Sequence, residues 1–236
     1  MDKTLIIIPG WGGDKSTWQQ AQTLFSKHIE TICIELPCFG DVPCPKDVWG
    51  VKEYANFVEQ SIQALNKKNI VILGHSFGGQ VATYLVAKNN TIAKKLILSG
   101  AAVYRPKRSI RRGLFLVLAK CGTLVFRLPF ISQFESIAKK VLYRSAQSPD
   151  YANTEGIKRD IFKKIIREDV SNHLKDITVP TLVIWGENDN YVPLTYGKKI
   201  AKGIPKATLT VIEKGNHGLH LKHTSTFVTR IIDFIT

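Results

Sequence analysis

Six short aliphatic runs restrict this chain more than anything else in it: LIII (residues 5–8), TICIEL (31–36), IVIL (70–73), KLILS (95–99), TLVIW (181–185) and TLTVI (208–212). Each run is continuous rather than alternating, the pattern of strands covered on both faces. Segments with helical spacing lie between most of them, at 16–28, 51–67, 78–89, 195–203 and 219–235. Strands and helices that take turns in this way form crossover units. The expected fold is therefore α/β, a doubly wound, mostly parallel six-stranded sheet. A chain of 236 residues is long enough to give such a sheet a substantial core.

The alternation breaks once. Between LSGAA and DITVPTLVIWG no strand is evident, and a stretch that long in a compact domain needs helices of its own. Residues 103–177 are accordingly expected to form a helical cap insertion, with 1–102 and 178–236 making the core. A cap over the carboxyl ends of the strands would lie where open α/β sheets bind ligands.

The formal charge of +14 is unusual, but it is regional: fifteen of the 33 Lys/Arg and six of the 19 Asp/Glu fall within residues 103–172. In the segment 104–131, Arg105, Arg108, Arg111, Arg112, Lys120 and Arg127 occupy one half of a helical wheel and Leu, Phe and Val the other. One reading is a cap helix with a solvated basic face and an apolar face toward an acyl pocket. The other is contact with an anionic membrane surface. Nucleic acid is not expected as a partner, since no recognition motif or aromatic platform accompanies the charge. The sequence leaves the oligomeric state open.

Cys33, Cys38, Cys44 and Cys121 show neither a CxxC pair nor zinc-like spacing with histidine, so reduced thiols and no metal are expected. The N-terminus offers only Leu5 to Ile8 before Pro9, too little for a signal segment or a membrane span, and a cytoplasmic location is expected.

Chemistry enters at VILGHSFGGQ (71–80). Gly74-His75-Ser76-Phe77-Gly78 fits G-x-S-x-G, with the strand IVIL leading in and FGGQVATYLVAK, whose Val81, Leu85 and Val86 have helical spacing, leading out. In that context the turn lifts a nucleophilic serine to the sheet edge, and small residues at 74 and 78 make room for it. A serine hydroxyl needs a base. Of six histidines only IEKGNHGLH puts one directly after the final strand, which favours His217, with His220 as the alternative. The base needs a carboxylate to hold its tautomer. WGENDNYVP offers Glu187 and Asp189, and Asp189 lies farther into the loop. An oxyanion would find one donor in the Phe77 amide and a second in the loop PGWGGDKSTW, where Gly10 and Gly12 flank the amide of Trp11.

These elements together resemble the α/β-hydrolase superfamily of serine hydrolases over residues 1–102 and 178–236. PGWGG is similar to the family's oxyanion loop, GHSFGG to its nucleophile elbow, GEND to its acid loop and GNH to its histidine loop, in the family's order Ser76, Asp189, His217. ELPCFGD resembles the segment after the family's fourth strand, often D-x-P-G-x-G. Pro9, Glu35 and Cys38 depart from the common pattern without removing a catalytic group. The chain opens near the family's third strand, so the fold is expected to lack the first two strands. A serine at 76 argues against the haloalkane dehalogenases and epoxide hydrolases that share the scaffold.

The resemblance implies hydrolysis through an acyl-enzyme, without metal or organic cofactor: Ser76 attacks, His217 shuttles the proton, Asp189 orients it, and the amides of Trp11 and Phe77 bind the oxyanion. An apolar cap face favours small, hydrophobic acyl groups. Short- to medium-chain esters rank first and lactones second. The alternatives are a lyase or carbon–carbon bond hydrolase on the same triad, and a non-catalytic binding protein with this fold.

Overall fold

The computed structural model describes residues 3–105 and 154–236. In chain order they form β1 (Thr4–Ile8), α1 (Lys15–Phe25), β2 (Glu30–Cys33), α2 (Val51–Ala64), β3 (Ile70–His75), α3 (Phe77–Lys88), β4 (Lys95–Ser99) and α4 (Gly156–Ile165). A 3-10 turn (Ser171–Asp176), β5 (Thr181–Gly186), α5 (Leu194–Gly203), β6 (Ala207–Ile212), α6 (Leu219–Lys222) and α7 (Thr224–Ile235) complete them. The strands make one sheet in the order β2-β1-β3-β4-β5-β6, and every neighbouring pair is parallel. From β1 the chain moves outward to β2 and then returns to β3 on the other side of β1. The loops leaving β1 and β3 therefore diverge and open a crevice at the carboxyl ends of these two strands.

Both faces of the four central strands are buried, as their continuous aliphatic runs require, whereas the edge strands β2 and β6 are more open. Leu5, Ile7, Val71, Leu73, Ile97, Leu182 and Ile184 join Trp18 and Phe25 of α1 and Phe227 and Ile231 of α7 in one cluster. The alternating residues Ile6, Ile8, Ile72, Leu96, Leu98 and Val183 point to the opposite face and are just as inaccessible. Local signals agree with the packing. Asp14 caps α1 by accepting from the Thr17 amide at 3.0 Å, while the Thr17 hydroxyl accepts from the Asp14 amide at 3.1 Å.

The expected elements recur with three differences. The run 31–36 is strand only to Cys33, because the chain then leaves the sheet toward Pro37 although Ile34 and Leu36 stay buried. The helix expected over 219–235 is divided at His223 into α6 and α7. The boundary at 177 moves back: contacts within the chain separate Met1–Tyr104 with Gly156–Thr236 from Arg105–Glu155. Residues 156–177 go with the sheet because Ile161, Phe162, Ile165 and Leu174 are buried, and because the Gln80 side-chain amide donates to the Glu168 carbonyl at 2.6 Å. Most of the expected cap, and all but the start of the basic segment 104–131, lie outside the described residues.

The expectation of reduced thiols is corrected for two of the four cysteines. Cys38 and Cys44 form a disulfide, with Cα atoms 4.2 Å apart. Cys38 adopts a positive φ of 76°, and its amide donates to the Val42 carbonyl at 3.1 Å, so the chain doubles back and brings Cys44 alongside. Cys33 is free and buried, and burial pushes its thiol up to about 12. Cys121 lies outside the described residues. Among the described residues no helix is long and apolar enough to cross a membrane.

Candidate active site

Ser76 stands between the last residue of β3 and the first of α3 with φ 52° and ψ −114°, a left-handed conformation that costs a non-glycine residue about 1–3 kcal/mol. The surroundings hold it there. Its amide donates to the Ser99 carbonyl at 2.9 Å, and its carbonyl accepts from the Ala102 amide at 2.9 Å and the Gln80 amide at 3.2 Å. The turn is so tight that a Cβ on Gly78 would collide with the carbonyl oxygens of Ile8 and Pro9, while one on Gly74 would lie 2.6 Å from the Gly78 carbonyl oxygen. The serine itself is nearly buried, with 9% of its surface exposed.

The loops after β1, β5 and β6 converge on the elbow. Gly10 packs directly against it, since a Cβ there would lie 3.1 Å from the Ser76 Cβ. Trp11 follows in a turn closed by the Gly13 amide on the Gly10 carbonyl at 3.0 Å. The Phe77 amide belongs to the first turn of α3, whose donors have no partner within the helix. After β5, Asp189 divides its two oxygens. Oδ1 accepts from the amides of Tyr191 at 2.9 Å and Val192 at 2.8 Å, fixing the loop, and Oδ2 lies 2.7 Å from His217 Nδ1. With a carboxylate as acceptor, His217 carries its proton on Nδ1 and leaves Nε2 free to accept. Gly100 backs this pair: a Cβ there would lie 3.0 Å from the His217 ring and 3.4 Å from Asp189 Oδ2.

The two alternatives weighed in the sequence take other places. Glu187 accepts from the Lys214 amide at 3.0 Å. His220 is buried and stacked on Trp18, with ring centroids 4.0 Å apart and planes 6° from parallel. It also approaches His75 at 4.8 Å, and His75 approaches His217 at the same distance, so three imidazoles adjoin one another behind the elbow. His75 Nδ1 lies 3.0 Å from the Ser99 carbonyl oxygen and donates to it. Burial first, then the neighbouring imidazoles, holds His75 well below the usual histidine range. Burial, then the charge of His217, lowers His220 to about 4.

Motif reading missed one further neighbour. Tyr191 stacks on the outer face of His217, with centroids 4.9 Å apart and planes at 29°, and its ring is 48% exposed. The available signal was its position two residues after Asp189, in the same loop. His75 could likewise have been suspected from its place inside the elbow.

The model of the alpha/beta hydrolase family matches residues 5–230. The chain belongs to this family. Among curated relatives, the 2-hydroxy-6-oxononadienedioate/2-hydroxy-6-oxononatrienedioate hydrolase of Cupriavidus pinatubonensis is 23% identical over 252 residues, covering 99% of this chain and 86% of the relative. The pimeloyl-[acyl-carrier protein] methyl ester esterase of Vibrio cholerae is 23% identical over 249 residues, covering 98% and 94%. Among solved structures, a bromoperoxidase from Bacillus anthracis superposes with TM-score 0.75 at 21% identity, covering 100% of this chain and 92% of its own. An esterase from Exiguobacterium antarcticum gives TM-score 0.75 at 19% identity, covering 99% and 91%. At these identities the structural likeness establishes the shared alpha/beta hydrolase fold.

Proposed function

We propose that this alpha/beta hydrolase is a serine hydrolase of carboxylic esters with short- to medium-chain, largely apolar acyl groups, lactones being its second substrate class. One observation carries the reading: the Asp189 to His217 contact of 2.7 Å beside a serine kept in a strained elbow conformation. In this reading Ser76 Oγ attacks the ester carbonyl and passes its proton to His217 Nε2. Asp189 Oδ2 stabilises the resulting imidazolium, and the amides of Trp11 and Phe77 hold the oxyanion. Collapse expels the alcohol, which takes the proton from His217, and a water molecule activated by the same base then hydrolyses the acyl-enzyme. No step calls for a metal or an organic cofactor. Among the described residues the Ser76 hydroxyl makes no hydrogen bond; a nucleophile-to-base bond of this type commonly tightens only once substrate is bound.

The reading is tested by reaction with a fluorophosphonate probe followed by peptide mapping. Modification confined to Ser76, and lost in His217→Ala, is the expected result. Unlabelled native protein beside a labelled control hydrolase would overturn it. Tyr191 supplies a second check, because its ring covers one face of the base and loses that role on truncation. Tyr191→Ala is expected to lower kcat/KM about threefold to tenfold, and Tyr191→Phe to stay near wild type.

A second reading, hydrolysis of a carbon–carbon bond on the same three residues, has in its favour the relatives whose names give 2-hydroxy-6-oxononadienedioate hydrolase. It differs in outcome: Ser76 would still react with the probe, but simple esters would turn over poorly.

A further inference from the structure

Lys158 is a cation that the proposed mechanism leaves unused. It lies in the first turn of α4, which has no acidic residue, so the positive end of the helix dipole and the ammonium group fall together. Two other lysines of the helix reach carboxylates: Lys163 meets Asp160 at 2.9 Å and Lys164 meets Glu53 at 3.6 Å. Lys158 forms no ion pair among the described residues. Its Nζ stands 4.4 Å from the centre of the Phe39 ring, half-buried, and burial alone holds it below the usual lysine range.

Phe39 connects this cation to the elbow. Its ring packs edge-on against Trp11 at 4.9 Å, and Trp11 in turn meets Phe77 at 5.9 Å and Phe162 at 5.0 Å. Phe39, Phe77 and Phe162 are buried, whereas Trp11 stays partly open. The rings pack in a continuous apolar row that runs from Trp11 and Phe77, the residues after Gly10 and Ser76, to the ammonium of Lys158. The Cys38–Cys44 disulfide closes the loop that carries Phe39, which fixes the far end of the row.

We propose that Lys158 forms an anion subsite at the distal end of the acyl site and receives a carboxylate carried at the far end of the substrate's acyl chain. The proposal rests on the ester-hydrolase reading and refines it: the apolar row takes the methylene chain, and the half-buried cation takes the terminal charge. A carboxylate gives such an ammonium the ionic partner that Phe39 cannot, and the low-dielectric surroundings strengthen the pair.

The test compares kcat/KM for mono-p-nitrophenyl esters of the diacids from glutarate to suberate with p-nitrophenyl esters of the monoacids of equal length. Wild type is expected to favour the carboxylate-bearing ester about tenfold or more at one or two lengths. Lys158→Gln should abolish that ratio and Lys158→Arg should retain most of it. A wild-type ratio near one at every length, or an unchanged ratio in Lys158→Gln, overturns the subsite. Binding of monomethyl adipate against methyl hexanoate to Ser76→Ala, followed by calorimetry, reads the subsite without turnover. Absent hydrolysis of every ester together with preferential binding of the charged one would reject the ester-hydrolase reading and keep the subsite. Equal binding of the two would reject the subsite whatever the turnover.

Discussion

Alanine at position 76 is expected to lower ester turnover by roughly 10⁴- to 10⁶-fold while leaving the urea midpoint close to that of wild type. The two halves of this expectation have separate causes. Turnover falls because no other hydroxyl stands in the elbow at the end of β3. Stability holds because what keeps residue 76 at φ 52° is backbone: the contacts of its amide and carbonyl with Ser99, Ala102 and Gln80, and the close approach of Gly78 to Ile8 and Pro9. Ser76→Gly should be just as inactive but more stable by about 1 kcal/mol, since glycine adopts positive φ without strain. Steady-state kinetics on a p-nitrophenyl ester and urea titration of the three proteins provide the measurement. Near wild-type turnover in a folded Ser76→Ala protein would remove the nucleophile from the mechanism. Reduced stability in Ser76→Gly would mean that the elbow is not strained.

What could be read from the sequence was whatever short-range physics determines. Continuous aliphatic runs located the four central strands because a parallel strand there is buried on both faces, and β3 and β4 match their runs to within two residues; the runs of the more open edge strands β2 and β6 were legible by their aliphatic and β-branched content alone. The elbow was legible because G-x-S-x-G has steric meaning between a strand and a helix. Asp189 and His217 were reachable through their loops, although the 28 residues separating them said nothing of the 2.7 Å contact. Features that depend on distant partners stayed hidden. Ile161, Phe162 and Ile165 have the same amphipathic spacing whether they bury against a cap or against the sheet, so the sequence points to a boundary at 177 where the contacts place it near 155. The Cys38–Cys44 pair depends on a left-handed residue at Cys38, which no spacing rule announces. The row of imidazoles joins the end of β3 to the loop and short helix after β6, and it exists only once β3, β4, β5 and β6 are assembled in one sheet.

That row predicts a loss of stability in mild acid. His220 is held at about 4 by burial and by the charge of His217, and His75 is held well below its ordinary range by burial and by both neighbours. In the unfolded chain each would titrate near 6.5. Between about pH 6.5 and 4 the unfolded state therefore binds more protons than the folded one, and stability must fall as pH falls through this window. His220 alone accounts for a loss of about 3 kcal/mol by pH 4, to order of magnitude, and His75 adds to it in the same direction. Urea midpoints from pH 7 to 4 should show the decline. His220→Phe, which keeps an aromatic ring against Trp18 and removes the buried, unpartnered Nδ1, should make it shallower. A midpoint independent of pH in wild type, or an acid limb unchanged in His220→Phe, would mean that the ring does not titrate as its burial requires. The same electrostatics favour the proposed chemistry. His217 must become an imidazolium during acyl transfer, and it can do so beside two other histidines only because burial keeps those two neutral, while Asp189 on its Nδ1 side supplies the compensating charge.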